Sequence, residues 1–462
     1  MPQTSSGFVP GFDLCALDGL FVGHEPRLAH MRDAAAFARD LRTSFGLDDE
    51  RGVLLERSAL LHDIGYAPSL RLFGYHPLDG ALFLEDRGEH SWVVEGVLRH
   101  SQADRKTDRF PGVTGEYALR PPRTDAAWLV RAVTVADWRA AGVGGRVSFA
   151  RRFQDIAVRN PHNPDKVRRA GTMVAEVRDW FLEWAGGMDW AGALPWVFCD
   201  VDNTLVRPGA SLSETTRAAI GAYLRGGGRF SLATGKHPLS IAPLARELGL
   251  EGTQIAGNGT CLLDRSGVKV LADLGDAAGR LRSSLEGMGL TIAIYREDGI
   301  EPGRMWDGKL DEVFDRYAEI RPVRTPLAGR VLKILCITDG ADLQREEELR
   351  RLAAEAGADC CRSDRHFLEF LPKAGNKGLA ARAAMELAGW PVLHSVALGD
   401  NENDEPMFAL CGACAAVAGA AKDARLGADW VIGRCEDEGV GRFLDRLRSG
   451  RGWAGLRSET VF

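Results

Sequence analysis

The hydrophobic pattern changes character near residue 195. Between Arg27 and Trp184 apolar residues recur at helical spacing: His30 shares a stripe with Ala34, Phe37 and Leu41, His62 follows Leu55 and Ala59, His100 follows Val93 and Val97, and Asp137 follows Val130 and Val133. Breaks at Gly46, Pro68, Pro111, Pro121 and Pro161 divide the stretch, and no convincing alternating strand interrupts it, so an all-α domain is predicted. From Trp196 onward short apolar runs alternate with helical segments. Val197, Phe198 and Val201 read as a buried strand, followed by a helix near Ser213 to Leu224, a strand from Arg229 to Ala233, a helix from Leu239 to Leu248, and a short strand reaching Ile255. A strongly apolar strand spans Val392 to Leu398. This is the pattern of a doubly wound α/β fold, whose parallel strands place ligands at their carboxyl ends.

Between Asn258-Gly259 and Lys377 the chain carries strands of its own, Thr291 to Tyr295 and Val331 to Ile337, with helices between them. A segment of that length has a role. The stretch Trp184 to Pro195, rich in glycine and alanine, reads as a short linker whose tryptophans, Trp184 and Trp190, favour packing onto a domain.

Composition narrows the function. At 462 residues the chain exceeds one core, and 45% hydrophobic with 26% charged residues is ordinary for a globular protein. A net charge of -6 argues against a nucleic-acid or membrane-surface binder, which needs a concentrated positive field. No apolar run approaches bilayer length, and Met1 to Leu20 has no basic n-region or continuous apolar core, so a cytoplasmic location is expected. Nine cysteines at irregular positions fit reduced thiols, with Cys411 and Cys414 read as small core residues.

Taken singly, each histidine of the first half reads as a hydrogen-bonded core residue. Four histidines and two carboxylates aimed into one helical bundle would leave buried charge uncompensated unless they converged on cations, and a metal pair meets that need. The run Ala59-Leu60-Leu61-His62-Asp63-Ile64-Gly65-Tyr66 resembles the signature of the HD superfamily of metal-dependent phosphohydrolases. By that resemblance the ligands are His30, His62, Asp63 and Asp137, with His76 and His100 matching the extra histidines of binuclear members. It implies hydrolysis of a phosphoester or phosphoanhydride with two transition-metal ions, iron or manganese. The same ligand pattern is similar to that of diiron oxygenases in the superfamily, so dioxygen chemistry stays open. A metal-stabilised regulatory module is a further reading. The basic segment with Arg99, Arg105, Lys106 and Arg109 follows His100 and is a candidate phosphate holder, with a solvated basic loop as the alternative.

In the second half the predicted strand ends carry Asp200 and Asp202, then Thr234-Gly235-Lys236, then Lys377 opening a helix, then Gly399-Asp400-Asn401-Glu402-Asn403-Asp404. Phosphoryl transfer needs a nucleophile, a divalent cation, groups to hold phosphoryl oxygens and an acid for the leaving group, and these ends supply such residues. The constellation resembles the four motifs of the haloacid dehalogenase superfamily in order, and the insert resembles the large α/β cap of its Cof-type branch. The resemblance implies that Asp200 is the nucleophile, that Asp202 is the general acid, and that Thr234 and Lys377 bind phosphoryl oxygens. It places Mg²⁺ on Asp200, the Asp202 carbonyl, Asp400 and Asp404. Substrate contacts are expected from Asn203, Thr204, Gly235, Asn403 and, in the first half, Arg99. Asn203 stands where many relatives have glycine and Lys236 where many have arginine; Lys236 is not expected to touch the reacting groups. The cap residues Asp307, Glu312 and Arg330 are expected on the surface.

The expectation is a bifunctional, multidomain phosphohydrolase acting on small phosphorylated metabolites, without nucleic acid or membrane as partner and with its oligomeric state open. The domains expected are an all-α unit over 1–190 and an α/β Rossmann-like unit over 191–462, with its core at 191–262 and 368–462 and an inserted α+β cap at 263–367. A phosphomutase is the alternative for the second half.

Overall fold

In a computed structural model, described here over residues 11–188, 193–307, 309–338, 345–450 and 452–456, the chain divides into two compact units, Met1–Trp184 and Ala185–Phe462. Trp190 and its neighbours in the expected linker lie outside the described residues.

The first unit is helical. Its longer helices are Glu25–Ser44, Asp49–Leu61, His76–Asp86, Ser91–Arg99, Ala127–Trp138, Phe149–Arg159 and Pro164–Gly187. Local chemistry sets several starts: the Asp48 carboxylate accepts from Arg51 N at 2.8 Å and the Ser148 hydroxyl from Arg151 N at 3.0 Å, each satisfying a backbone donor that the helix leaves free. The core gathers Leu54, Leu61, Leu78, Leu84, Val93 and Val97, the apolar stripes of three helices. Among the described residues the only β pairing in this unit is an isolated bridge between Ala140 and Arg146.

Among the described residues the second unit holds three sheets. Its strands are β1 (Trp196–Cys199), β2 (Arg229–Leu232), β3 (Gln254–Ala256), β4 (Cys261–Asp264), β5 (Gly267–Val270), β6 (Thr291–Arg296), β7 (Gly299–Pro302), β8 (Val331–Ile337), β9 (Ala358–Asp364), β10 (Phe367–Pro372), β11 (Ser395–Gly399), β12 (Ala413–Val417) and β13 (Trp430–Ile432). The core sheet has the order β13-β12-β11-β1-β2 and is parallel throughout. β1 lies inside it and is buried along its whole length, which is why its sequence is continuously apolar. A second, antiparallel sheet of order β7-β6-β8-β10-β9 forms the insert, with helices Ala277–Gly287 and Glu346–Glu355 packed on one face. The small sheet β3-β4-β5 joins the core edge through the Ala233–Ile255 bridge.

The strand expected over Val392 to Leu398 begins only at Ser395. The preceding residues turn because His394 stacks on Trp390, centroids 5.3 Å apart, and its carbonyl accepts from Trp390 Nε1 at 2.7 Å. Cys411 and Cys414 are buried, and Cys414 is bonded to Asp429. Among the described residues no helix is long and apolar enough to cross a membrane.

One close approach positions the chemistry. Gly259, at φ 95°, passes the start of helix Lys377–Leu387 so tightly that a Cβ there would lie 2.1 Å from the Asn376 carbonyl carbon. Only glycine fits both the conformation and the gap. Gly259→Ala is therefore expected to destabilise the second unit by about 2 to 4 kcal/mol, read as a lower melting temperature.

Candidate active sites

In the second unit Asp200 follows β1 directly, its amide bonded to the Leu398 carbonyl at 2.9 Å, so the carboxyl ends of β1 and β11 meet there. The chain then turns: Asn203 takes φ 62° and its amide reaches the Val206 carbonyl at 2.8 Å. Asp404 is fastened by accepting the amides of Asp400 at 2.8 Å and Asn401 at 3.1 Å. The Lys377 ammonium, wholly buried, donates to Asp200 Oδ1 at 2.6 Å and Asp404 Oδ1 at 2.7 Å. Thr204 Oγ1 donates to Asp400 at 3.2 Å.

The cluster of Asp200, Asp400 and Asp404 thus contains one ammonium, which contacts Asp200 and Asp404 but not Asp400, a deficit of positive charge in a buried place. Burial pushes the Asp200 carboxyl up to about 7, with Lys377 opposing and Asp404 and Asp202 reinforcing, and Asp400 is pushed well above the usual carboxylate range for the same first reason. Hard oxygen donors short of counter-charge fit a divalent cation.

A small cavity of about 50 Å³ lies beside this cluster, lined by Asp202, Thr234, Gly235 and Asn403 from the core and by insert residues such as Tyr317, Lys333 and Glu369. Asn403 Oδ1 is buried without a hydrogen-bond partner. Lys236, expected to stay clear of the reacting groups, does not: its ammonium is 3.0 Å from Asp202 Oδ2 and also reaches the Tyr317 carbonyl. Thr204, expected against substrate, is fully buried behind Asp400 and absent from the lining. Asn203 points to Asp364 at 3.4 Å. Asp307 and Glu312 are exposed, and Arg330 pairs with Glu297 at the surface.

Sequence reasoning missed the insert's contribution. Lys333 and Glu369, 2.6 Å apart and both buried, line the cavity, and Asn258 joins Glu369 at 3.0 Å to Asn403 at 3.0 Å. Their signal was a single charge inside each of two otherwise apolar strands, β8 and β10, which demands a partner.

The first unit brings all six expected ligands together. His30 lies within its helix, His62 and His100 cap the ends of theirs, His76 opens one, and Asp137 lies near the end of another. The Nδ1 atoms of His30, His62 and His100 sit 2.9, 2.8 and 2.7 Å from the carbonyls of Ala141, Ala59 and Val97. A carbonyl only accepts, so each Nδ1 carries the proton and each Nε2 presents a lone pair inward. The Nε2 atoms of His30 and His62 are 3.2 Å apart, facing lone pairs that repel unless a cation lies between them. Burial lowers His62 to about 4 and also lowers His76, which favours the neutral, metal-ready rings. Asp63 spans the cluster: Oδ1 is 3.1 Å from His76 and 3.6 Å from His100, while Oδ2 is 3.5 Å from His62 and 3.6 Å from His30. One carboxylate facing two imidazole pairs fits two ions.

Arg99 is corrected as a substrate contact. It is buried, salt-bridged to Glu95 at 2.7 Å one helical turn away, and absent from the cavity lining. The left-handed residues Ser101 and Gln102 turn the following basic segment in a different direction.

A carboxylate cluster bridged by a lysine at parallel strand ends defines a phosphoryl-transfer hydrolase. The chain belongs to the haloacid dehalogenase-like hydrolases, whose family model matches residues 197–444, and an HD domain model matches residues 27–142. It is 29% identical over 261 residues to the HMP-PP phosphatase of Serratia proteamaculans (strain 568), covering 54% of this chain and 94% of that protein. To the HMP-PP phosphatase of Escherichia coli O8 (strain IAI1) it is 28% identical over 252 residues, covering 53% and 92%. A solved structure from Streptococcus mutans UA159 shares the fold, with a TM-score of 0.50 at 17% identity over 56% of this chain and 100% of that one. The protein is a phosphoric-ester hydrolase.

The raised Asp200 carboxyl has a stability consequence. Its proton is held to about 7 in the fold against 3.8 ordinarily, so in chelator-treated protein its unfavourable contribution is absent below the ordinary value and grows as pH rises through 7. Asp200→Asn removes it. The melting temperature of the variant minus that of the wild type should increase between pH 5 and pH 8 by a few degrees, measured by calorimetry, whereas a flat difference contradicts the raised value.

Proposed function

We propose that the second unit is a phosphatase working through an aspartyl phosphate on Asp200, and that the first hydrolyses a phosphoester or phosphoanhydride with a pair of transition-metal ions, iron or manganese. The observation that carries the first reading is the Lys377 ammonium held between Asp200 and Asp404 beside Asp202. Asp200 attacks phosphorus, the bond to the leaving oxygen breaks, and Asp202 gives that oxygen its proton. Asp202 then takes a proton from the water that opens the acyl phosphate. Burial, opposed by Lys236, keeps Asp202 above the usual carboxylate range, which suits a proton donor. Thr234 and Lys377 hold the phosphoryl oxygens. Asp200, Asp400, Asp404 and the Asp202 carbonyl would hold Mg²⁺, which supplies positive charge to the transferring phosphoryl group.

The core comprises 191–262 and 373–462 and the cap 263–372, its bound moved from the expected 367 because β10 (Phe367–Pro372) pairs inside the insert's sheet, with Gly235 and Asn403 beside the substrate. Relatives named HMP-PP phosphatases and the small cavity support a compact phosphorylated metabolite as substrate. In the first unit His30, His62, Asp63, His76, His100 and Asp137 hold the ions, and the facing imidazole lone pairs support that reading. Nine cysteines at irregular positions support a cytoplasmic setting.

Two variants of the full chain separate the sites. Asp200→Asn should lower magnesium-dependent phosphate release by about a thousandfold or more while leaving bound transition metal unchanged by elemental analysis. Asp63→Ala should strip the transition metal and spare that activity. Retention of most turnover in Asp200→Asn would exclude it as nucleophile, dioxygen consumption would make the first unit an oxygenase, and absence of bound metal would make it a regulatory module.

A further inference from the structure

The cavity that opens onto Asp63, His76, His100 and Asp137 in the first unit has a volume of about 750 Å³, far larger than one phosphate group requires. Its outer walls are cationic. Arg105, Lys106 and Arg109 come from the segment after His100, Lys166 and Arg169 from the start of helix Pro164–Gly187, and Arg71 from the loop before His76. Arg27 and Arg152 also line the cavity, but each is engaged with a carboxylate of the ligand cluster, Asp63 at 2.6 Å and Asp137 at 3.2 Å. The other six are not so engaged: among the described residues none has a carboxylate within ion-pair distance. The lining holds two further acids, Asp79, whose Oδ1 accepts from the Phe73 amide at 2.8 Å, and Glu176, which accepts from the Gln102 side chain, so that cations still outnumber carboxylates in it.

This is a costly arrangement in a chain whose net charge is -6. Burial depresses Lys166, with Arg159 and Arg169 adding to the effect, and burial likewise depresses Lys106, with Arg169 and Lys166 among the groups pushing it further down. A freely solvated basic loop would relax away from such repulsion. This one is pinned: Ser101 and Gln102 hold left-handed conformations at φ 51° and 56°, Ser101 Oγ donates to Asp137 at 2.5 Å, its amide donates to Thr134 at 2.9 Å, and Lys106 donates to the Ser101 carbonyl at 2.6 Å. The basic wall is thus tied to a carboxylate of the ligand cluster, and backbone strain is retained to keep it there.

We infer that the cationic wall is a subsite for the non-reacting phosphates of a polyphosphorylated substrate, one carrying two or more linked phosphate groups. This rests on the hydrolase reading of the first unit. The reacting phosphate lies at the six-ligand cluster, and its neighbours lie against Arg105, Arg109, Lys166 and Arg169. In the step itself a P–O bond forms to water, the P–O bond to the leaving phosphate breaks, and the leaving oxygen takes up the proton that water gives up. A monophosphate would leave the wall's charges unanswered.

The test uses the full chain carrying Asp200→Asn, which silences the second unit. After chelator treatment, calorimetric titration should show inorganic tripolyphosphate binding at least about tenfold more tightly than orthophosphate, and Arg105→Ala with Arg109→Ala and Arg169→Ala should erase the difference. Arg105→Ala alone, with about a threefold loss, serves if the triple variant fails to fold. With metal restored, the triple variant should raise KM for ATP by about tenfold more than KM for AMP. Tripolyphosphate binding no tighter than orthophosphate, or equally well by every variant, overturns the subsite, and it does so even where AMP is hydrolysed and the hydrolase reading stands. Wall-dependent tripolyphosphate binding without phosphate release under Mg²⁺, Mn²⁺ or Fe²⁺ upholds the subsite and rejects the hydrolase reading.

Discussion

The ammonium of Lys377, 2.6 Å from Asp200 and 2.7 Å from Asp404 with no solvent contact, is the interaction on which the second unit's architecture turns. Three carboxylates gathered at buried strand ends repel one another, and burial leaves them little solvent screening. One lysine on the first residue of a helix holds two of them in place, and Asp200 and Asp404 in turn hold the ammonium charged despite its burial. Much of the local backbone serves that contact: Asn376 caps the helix by accepting the Leu379 amide at 2.9 Å, Gly259 leaves room for its start, and Asp404 is tied to the Asp400 and Asn401 amides.

The first unit meets the same difficulty with a different solution. Its two carboxylates are surrounded by imidazoles, of which His62 is lowered to about 4 by burial and His76 is lowered for the same first reason. Asp63, although pushed up by burial, is held well below the usual carboxylate range by His62, His76 and His100. Backbone carbonyls at Ala141, Ala59 and Val97 fix the tautomers. The outcome is a nest of lone pairs suited to softer cations, whereas the second unit offers oxygen alone.

Between the insert and the core of the second unit, charge pairs join what the sheets leave separate. Arg350 of the insert reaches Glu402 at 2.9 and 2.6 Å, and the Arg362 amide reaches it at 3.0 Å, on the same loop that carries Asp400 and Asp404. Lys236 meets both Asp202 of the core and Tyr317 of the insert. The groups that hold the insert over the cleft are therefore next to the groups that react.

The sequence by itself determined the local elements and which polar residues gather at each cluster. Helical spacing around His30, His62, His100 and Asp137 made the first unit legible, and continuous apolar strands ending in Asp200 and Asp400 did so for the second, because periodicity and burial are properties of neighbouring residues. The boundaries of β11 were misread because Trp390 and His394, apolar or aromatic in composition, stack to form a turn instead of extending the strand. Which long side chains reach which site was decided only by tertiary structure. Arg99 was free to point anywhere until Glu95 one turn back claimed it, Lys236 acquired a role only when Asp202 and Tyr317 arrived from distant segments, and Lys333 and Glu369 became cavity residues only through the pairing of β8 with β10. Charged groups on flexible stems take their positions from partners remote in the chain, and one strand of sequence carries no record of that distance.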